Sequence, residues 1–181
     1  MDIDNAIERV LLNEISIDKR VRELAAQINA DYAGVDELVL VGVLRGVYIF
    51  MADLTRRLTL PQRVDFIAVS SYNKGTVSQG AVRLIMDTPA SISDRHVLIV
   101  EDIVDTGYTL DYLLRTFGAR LPASLRTCVF LSKPDRREIE VQVDYLGFEI
   151  PDVWVVGYGL DYANQYRTLP YVAELKRQVY E

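Results

Sequence analysis

Three carboxylates and two threonine hydroxyls crowd into nine residues, Glu101-Asp102-Ile-Val-Asp105-Thr106-Gly107-Tyr108-Thr109, directly behind the apolar run His96–Val100. The turn from Asp105 to Thr109 offers successive backbone N–H groups, a glycine that tolerates unusual dihedrals, and hydroxyls, all where a helix begins and its dipole favours anions. A phosphate monoester fits such a nest. Carboxylates beside a phosphate would repel it, unless the ligand also presents hydroxyls that need acceptors and a divalent cation bridges the remaining charge. A phosphorylated ribose with Mg²⁺ meets both conditions. Singly, each of these residues is what a strand end or a helix cap commonly uses. Their joint order at a strand-to-helix junction, where open α/β sheets bind ligands, is what points to a site.

The surrounding sequence must supply that junction. Glu37-Leu-Val-Leu-Val-Gly-Val43 is almost continuously apolar, as a strand covered on both faces requires, and it leads through Leu44-Arg45-Gly46 into a helix-like segment, Val47 to Leu58. His96–Val100 reads as another buried strand, followed by a helix in which Leu110, Leu113, Leu114 and Phe117 recur at helical spacing up to Gly118, a plausible C-cap. Ser16 is placed to cap an earlier helix with Ile17, Val21, Leu24, Ala25 and Ile28 on its inner face. Arg63–Val69, Thr127–Leu131 and Val153–Val156 have strand character, and the polar stretch from Ser70 to Val82 reads as a hairpin loop before Leu84-Ile-Met86. Strands alternating with helices predict an α/β domain built on a mainly parallel twisted sheet flanked by helices. With 181 residues, no internal repeat and no linker, one domain over residues 1–181 is expected.

Composition narrows the function. The formal net charge of −6 argues against nucleic acid as a partner, so phosphate must be handled locally. The start, Met1-Asp-Ile-Asp-Asn5, has neither a basic n-region nor an apolar h-region, and no apolar run is long enough to span a membrane, so a cytoplasmic protein without a membrane partner is expected. Cys128, the single cysteine, cannot form an internal disulfide and sits in an apolar strand, and His96, the single histidine, begins a strand at the end away from the acidic loop. With one histidine and one cysteine, a zinc site is unsupported. Gly157-x-Gly159 lacks the third glycine of a dinucleotide fingerprint, because Tyr162 stands in its place, and no P-loop is present.

Val97–Leu110 resembles the phosphoribosyl-pyrophosphate (PRPP) motif of type I phosphoribosyltransferases, and the resemblance carries further expectations. It implies that Glu101, Asp102, Asp105, Thr106, Gly107, Tyr108 and Thr109 hold the ribose and 5′-phosphate, with Asp105 as catalytic base. Arg45 and Gly46, in a loop whose preceding peptide is typically cis in this family, and Arg167 would take the pyrophosphate. Ser71-Tyr72 resembles the family's lid, which closes over the donor and excludes water. Lys133 matches the lysine that donates to the 6-oxo group of a purine in hypoxanthine-guanine enzymes, and an ammonium, having donors only, favours oxygen over an amine. Trp154 stands where a stacking aromatic is usual, with Val155 offering backbone contacts, and Asp161 would join Glu101 and Asp102 in binding Mg²⁺. The resemblance implies a small base-binding hood made from the chain ends, a homodimer or homotetramer, and transfer of phosphoribose from PRPP to a 6-oxopurine. Tyr108 departs from members with lysine there, and Trp154 from those with phenylalanine. A non-catalytic PRPP sensor and an enzyme for xanthine, adenine or a pyrimidine are the alternatives.

Overall fold

The computed structural model describes residues 3–71 and 82–180. A short helix α1 (Ile3–Ala6) and strand β1 (Ile7–Leu12) precede α2 (Glu14–Asp31), β2 (Leu38–Leu44), α3 (Tyr48–Thr55), β3 (Gln62–Ser71) and β4 (Val82–Met86). Then come β5 (His96–Val104), α4 (Tyr108–Gly118), β6 (Ser124–Ser132), β7 (Tyr145–Glu149), β8 (Val155–Val156) and β9 (Val172–Leu175). A six-stranded sheet runs in the order β4-β3-β2-β5-β6-β7, parallel throughout except for the antiparallel edge pair β3-β4.

Two-sided burial explains the apolar continuity of β2. Leu38 and Leu40 join the core beneath α2 and α3, whereas Val39, Val41 and Val43 join the core beneath α4, around Leu110, Leu113 and Phe117. Alternating residues of one strand thus feed opposite layers. The inner face of α2 is the expected set, Ile17, Val21, Leu24, Ala25 and Ile28. Cys128 is fully buried in β6, and His96 opens β5 with Nδ1 2.8 Å from the Ser124 hydroxyl.

Several boundaries differ from the sequence reading. The N-cap of α2 is Asn13, whose side chain accepts from the Ser16 N–H at 2.9 Å, so Ser16 lies inside the first turn. Gly118 is the last helical residue of α4, and the cap is Ala119 in ordinary right-handed geometry. Helix α3 is shorter than Val47–Leu58, and only Val155–Val156 of the Val153–Val156 run pairs as a strand. Strand β5 continues past Val100 to Val104, which places Glu101 and Asp102 within the strand rather than after it. The strands flanking the polar stretch pair antiparallel, as a hairpin requires. Tyr72 of the expected lid lies outside the described residues, and Ser71 is the last residue of β3.

The expected hood is a second sheet, β1-β9-β8, antiparallel throughout and assembled from both chain ends. Periodicity signals neither β1 nor β9, nor the edge strand β7.

The cap assignment is open to measurement. Asn13→Ala should cost about 1 kcal/mol of stability in urea unfolding followed by circular dichroism, with Ser16→Ala under about 0.5 kcal/mol. A larger loss for Ser16→Ala would contradict the cap.

Candidate active site

Because β2, β5 and β6 are parallel, their carboxyl ends open on one edge of the sheet, and the residues singled out by sequence gather there. The pairing of Val104 with Ser132, and the bond from the Lys133 N–H to the Val104 carbonyl at 2.9 Å, bring Lys133 alongside the turn that begins at Asp105.

That turn is held from behind. Gly107 has φ 94° and starts α4, and a Cβ there would run into the Ile139 carbonyl. The Thr106 carbonyl accepts from both Glu138 and Ile139 N–H groups at 3.0 Å, and Asp105 accepts from the Thr106 N–H. Asp105, Gly107 and Thr109 share a small recess with Glu101. The Tyr108 hydroxyl donates to Glu138 at 3.1 Å, so this side chain braces the turn from outside, where a lysine would carry a charge.

Glu101 is 5% exposed, and its Oε2 has no hydrogen-bond partner among the described residues. Burial, reinforced by the charges of Asp102 and Asp105, pushes its carboxyl well above the ordinary range, against the pull of Arg137. Burial likewise raises Asp102 to about 6, although the Ile103 N–H donates to its Oδ1 at 2.9 Å. Arg137 and Arg167 offset these shifts only in part, and the unpartnered Glu101 Oε2 is an acceptor that a divalent ion or a ribose hydroxyl fits. Among the described residues no cluster of three or more metal-binding side chains occurs. A cation here would therefore take much of its coordination from ligand oxygens, as Mg²⁺ does at phosphate sites.

Three elements meet at Asp102. The Leu44–Arg45 peptide is cis, as the resemblance implies, and the exposed Arg45 is followed by a buried Gly46 whose missing side chain leaves room for the Asp102 carboxylate. Gly159 packs in turn on the Gly46 carbonyl, with no space for a Cβ. Arg167 donates to the Gly159 carbonyl at 2.7 Å and pairs with Asp161 at 2.6 Å. Asp161 and Arg167 are thus partners in the described state, and each is also placed beside the Arg45-Gly46 loop by Gly159.

A cleft of about 320 Å³ lies next to this arrangement, with Ile103, Trp154, Val155 and Leu160 as apolar walls and Asp102, Asp105, Lys133, Arg136 and Asp161 as polar ones. Lys133 is 7% exposed, with Nζ 3.4 Å from Asp152. Trp154 is 44% exposed, so it is no core residue. Asp102, Asp105, Lys133, Trp154, Val155 and Asp161 therefore line one cleft, with Glu101, Gly107 and Thr109 in the recess beside it. Sequence reading missed Arg137, whose guanidinium donates to the Ser132 hydroxyl at 2.8 Å, keeps Nη1 buried without a partner among the described residues, and packs its stem beneath Gly107. The basic run Lys133-Pro-Asp-Arg-Arg137 was the available signal.

The raised carboxyl of Asp102 makes ligand-free stability pH-dependent. Its folded value of about 6 exceeds the reference 3.8, so the folded state binds more protons between them, and its contribution, fully present below 3.8, is lost as pH rises through about 6. Asp102→Asn should raise the thermal midpoint by about 2–5 °C at pH near 8 and by little at pH near 4, in calorimetric scans without ligand. An equal shift at both pH values would contradict burial as the source of the raised carboxyl.

Residues 11–163 match the family described as the phosphoribosyl transferase domain. The chain is 46% identical over 175 residues to a hypoxanthine-guanine phosphoribosyltransferase of Bacillus subtilis, covering 97% of each. It is 48% identical over 168 residues to a hypoxanthine phosphoribosyltransferase of Haemophilus influenzae, covering 92% of this chain and 94% of that one. Among solved structures, a mutant hypoxanthine phosphoribosyltransferase of Trypanosoma cruzi in a ternary substrates complex superposes with a TM-score of 0.92 at 45% identity, covering 98% of this chain and 100% of that one. With the parallel sheet and the acidic loop in place, the chain belongs to the phosphoribosyltransferase family and has its type I fold.

Proposed function

We propose that the chain is a hypoxanthine(-guanine) phosphoribosyltransferase of purine salvage, moving the 5-phosphoribosyl group from PRPP to N9 of a 6-oxopurine and releasing pyrophosphate. The single observation that carries this reading is the shared cleft: Lys133, a donor-only group, and Trp154, an exposed aromatic, border the same space as Asp102, Asp105 and Asp161.

The turn Asp105-Thr106-Gly107-Tyr108-Thr109 binds the 5′-phosphate through backbone N–H groups and hydroxyls at the start of α4. Glu101 and Asp102 accept from the ribose hydroxyls. Glu101, Asp102 and Asp161 would hold Mg²⁺, directly or through water, and the ion would supply charge neutralisation for the donor phosphates. Trp154 stacks on the base, Val155 offers backbone contacts, and Lys133 donates to the 6-oxo group. Asp105 holds a proton at purine N7, while Arg45, the Gly46 backbone and Arg167 bind the departing pyrophosphate. Positive charge develops at C1′ as the bond to pyrophosphate lengthens, so exclusion of water matters, and Ser71-Tyr72 are assigned to the lid that does this.

Adenine is disfavoured because Lys133 has no lone pair for its amine. Net charge of −6 counts against an RNA- or DNA-binding regulator. We assign residues 1–181 to one domain, a homodimer or homotetramer to the assembly and the cytoplasm to its location; among the described residues no helix is long and apolar enough to cross a membrane.

Product analysis with PRPP, Mg²⁺ and hypoxanthine, guanine, xanthine, adenine or uracil tests the reading, with IMP and GMP as expected products. Asp105→Asn should lower kcat about 10²- to 10³-fold with PRPP affinity nearly intact. Lys133→Ala should raise the KM for hypoxanthine about 10- to 100-fold. Undiminished turnover in Asp105→Asn removes the base assignment, and a chain making no nucleotide from any base refutes the enzyme reading.

A further inference from the structure

Trp154 is the only tryptophan of the chain, and the core does not hold its ring. Two tyrosines do. Tyr180 is stacked on it, with ring centroids 5.3 Å apart and planes inclined by 27°, and Tyr162 meets it edge-on at 5.6 Å and 88°. Neither tyrosine lines the cleft that Trp154 borders.

Backbone bonding explains how Tyr180 gets there. Strand β9 pairs with β8, and the Leu175 N–H donates to the Trp154 carbonyl at 2.9 Å. Lys176 then bonds back to the Ala6 carbonyl at 2.9 Å, and a 3₁₀ turn over Arg177–Val179 is closed by the Tyr180 N–H on the Arg177 carbonyl at 3.1 Å. The turn folds the last described residue onto the indole. Trp154 itself precedes a strand of only two residues, Val155–Val156, and without a second ring against it a large exposed side chain would sample several rotamers. Ordering it on binding would then weaken affinity for whatever stacks on it.

We propose that Tyr180 is a positioning residue for the purine: it fixes the indole of Trp154 in the plane on which the base stacks, so the C-terminal turn sets affinity for the base without touching it. The inference rests on the reading of Trp154 as the base platform, and the two fail differently.

Steady-state kinetics of the full chain with Tyr180→Ala, Tyr180→Leu and Tyr180→Phe test it, together with tryptophan emission, which reports on Trp154 alone. The alanine and leucine variants should raise the KM for hypoxanthine about 3- to 10-fold, the contribution of one aromatic pair, with kcat and the KM for PRPP within about 2-fold of the parent. Phenylalanine, which keeps the ring, should restore the parent value. IMP should quench emission in the parent, and the midpoint of that quench should move in Tyr180→Ala by the same factor as the KM. An unchanged KM for hypoxanthine in both variants, with IMP still quenching the parent, overturns the role of Tyr180 and leaves the platform standing. Equal rises in both KM values also overturn it, since they signal general loosening. Emission unmoved by IMP in the parent, with Trp154→Ala retaining its KM for hypoxanthine, removes the platform and the proposal with it.

Discussion

Two adjacent carboxylates in a central strand, whose burial outweighs the nearby charges of Arg137 and Arg167, are the constraint around which this molecule is arranged. Glu101 and Asp102 sit in β5, flanked by β2 and β6, where water is scarce and a bare charge is costly. A core strand would normally exclude such residues. Their retention makes sense if the balancing groups arrive with the ligand, as hydroxyl donors and a divalent ion. The local packing preserves this opening: Gly46 has no side chain to cover Asp102, and Gly159 has none to push Gly46 away. A methyl group at either position would close the approach that the carboxylates require.

Rigidity is distributed accordingly. The phosphate turn is locked from behind by the backbone of Glu138 and Ile139, and Arg137 fills the space below it, so the donor end is built on the sheet. The base end is built on the three-stranded hood, where the two-residue β8 carries Trp154 and Val155 beside Lys133 of the main sheet. In the proposed reading, the sugar phosphate is held on the main sheet, and the base lies between the hood, through Trp154 and Val155, and Lys133 of the main sheet.

Features encoded by near neighbours are legible in the amino-acid sequence itself. The continuous apolarity of β2, the helical spacing on α2 and α4, and the order of acids, threonines and glycine in Glu101–Thr109 each depend on residues close along the chain, and each describes a real element. What escapes depends on partners far away. Strand β1 has a mixed face, and only its pairing with β9, more than 150 residues away, makes it a strand. Asn13 displaces Ser16 as cap because both residues suit the role and only the backbone path decides. Glu101 reads as a residue past the strand because charged groups seldom lie inside one, and its burial is correspondingly invisible. Arg137 and Tyr180 act through contacts with Gly107 and Trp154 that no spacing rule announces.

The central assignment is that the buried pair is completed by Mg²⁺ and the ribose of PRPP, and calorimetric titration tests it most directly. Binding of Mg²⁺ and PRPP near pH 6, measured in buffers of different ionisation enthalpy, should release protons from the enzyme, because carboxyls held protonated by burial ionise once compensated. The release should exceed that of a Glu101→Gln, Asp102→Asn double variant, which accounts for protons lost by PRPP itself, and PRPP should bind the variant at least about 10-fold more weakly. Equal proton release and equal affinity in parent and double variant would contradict the assignment.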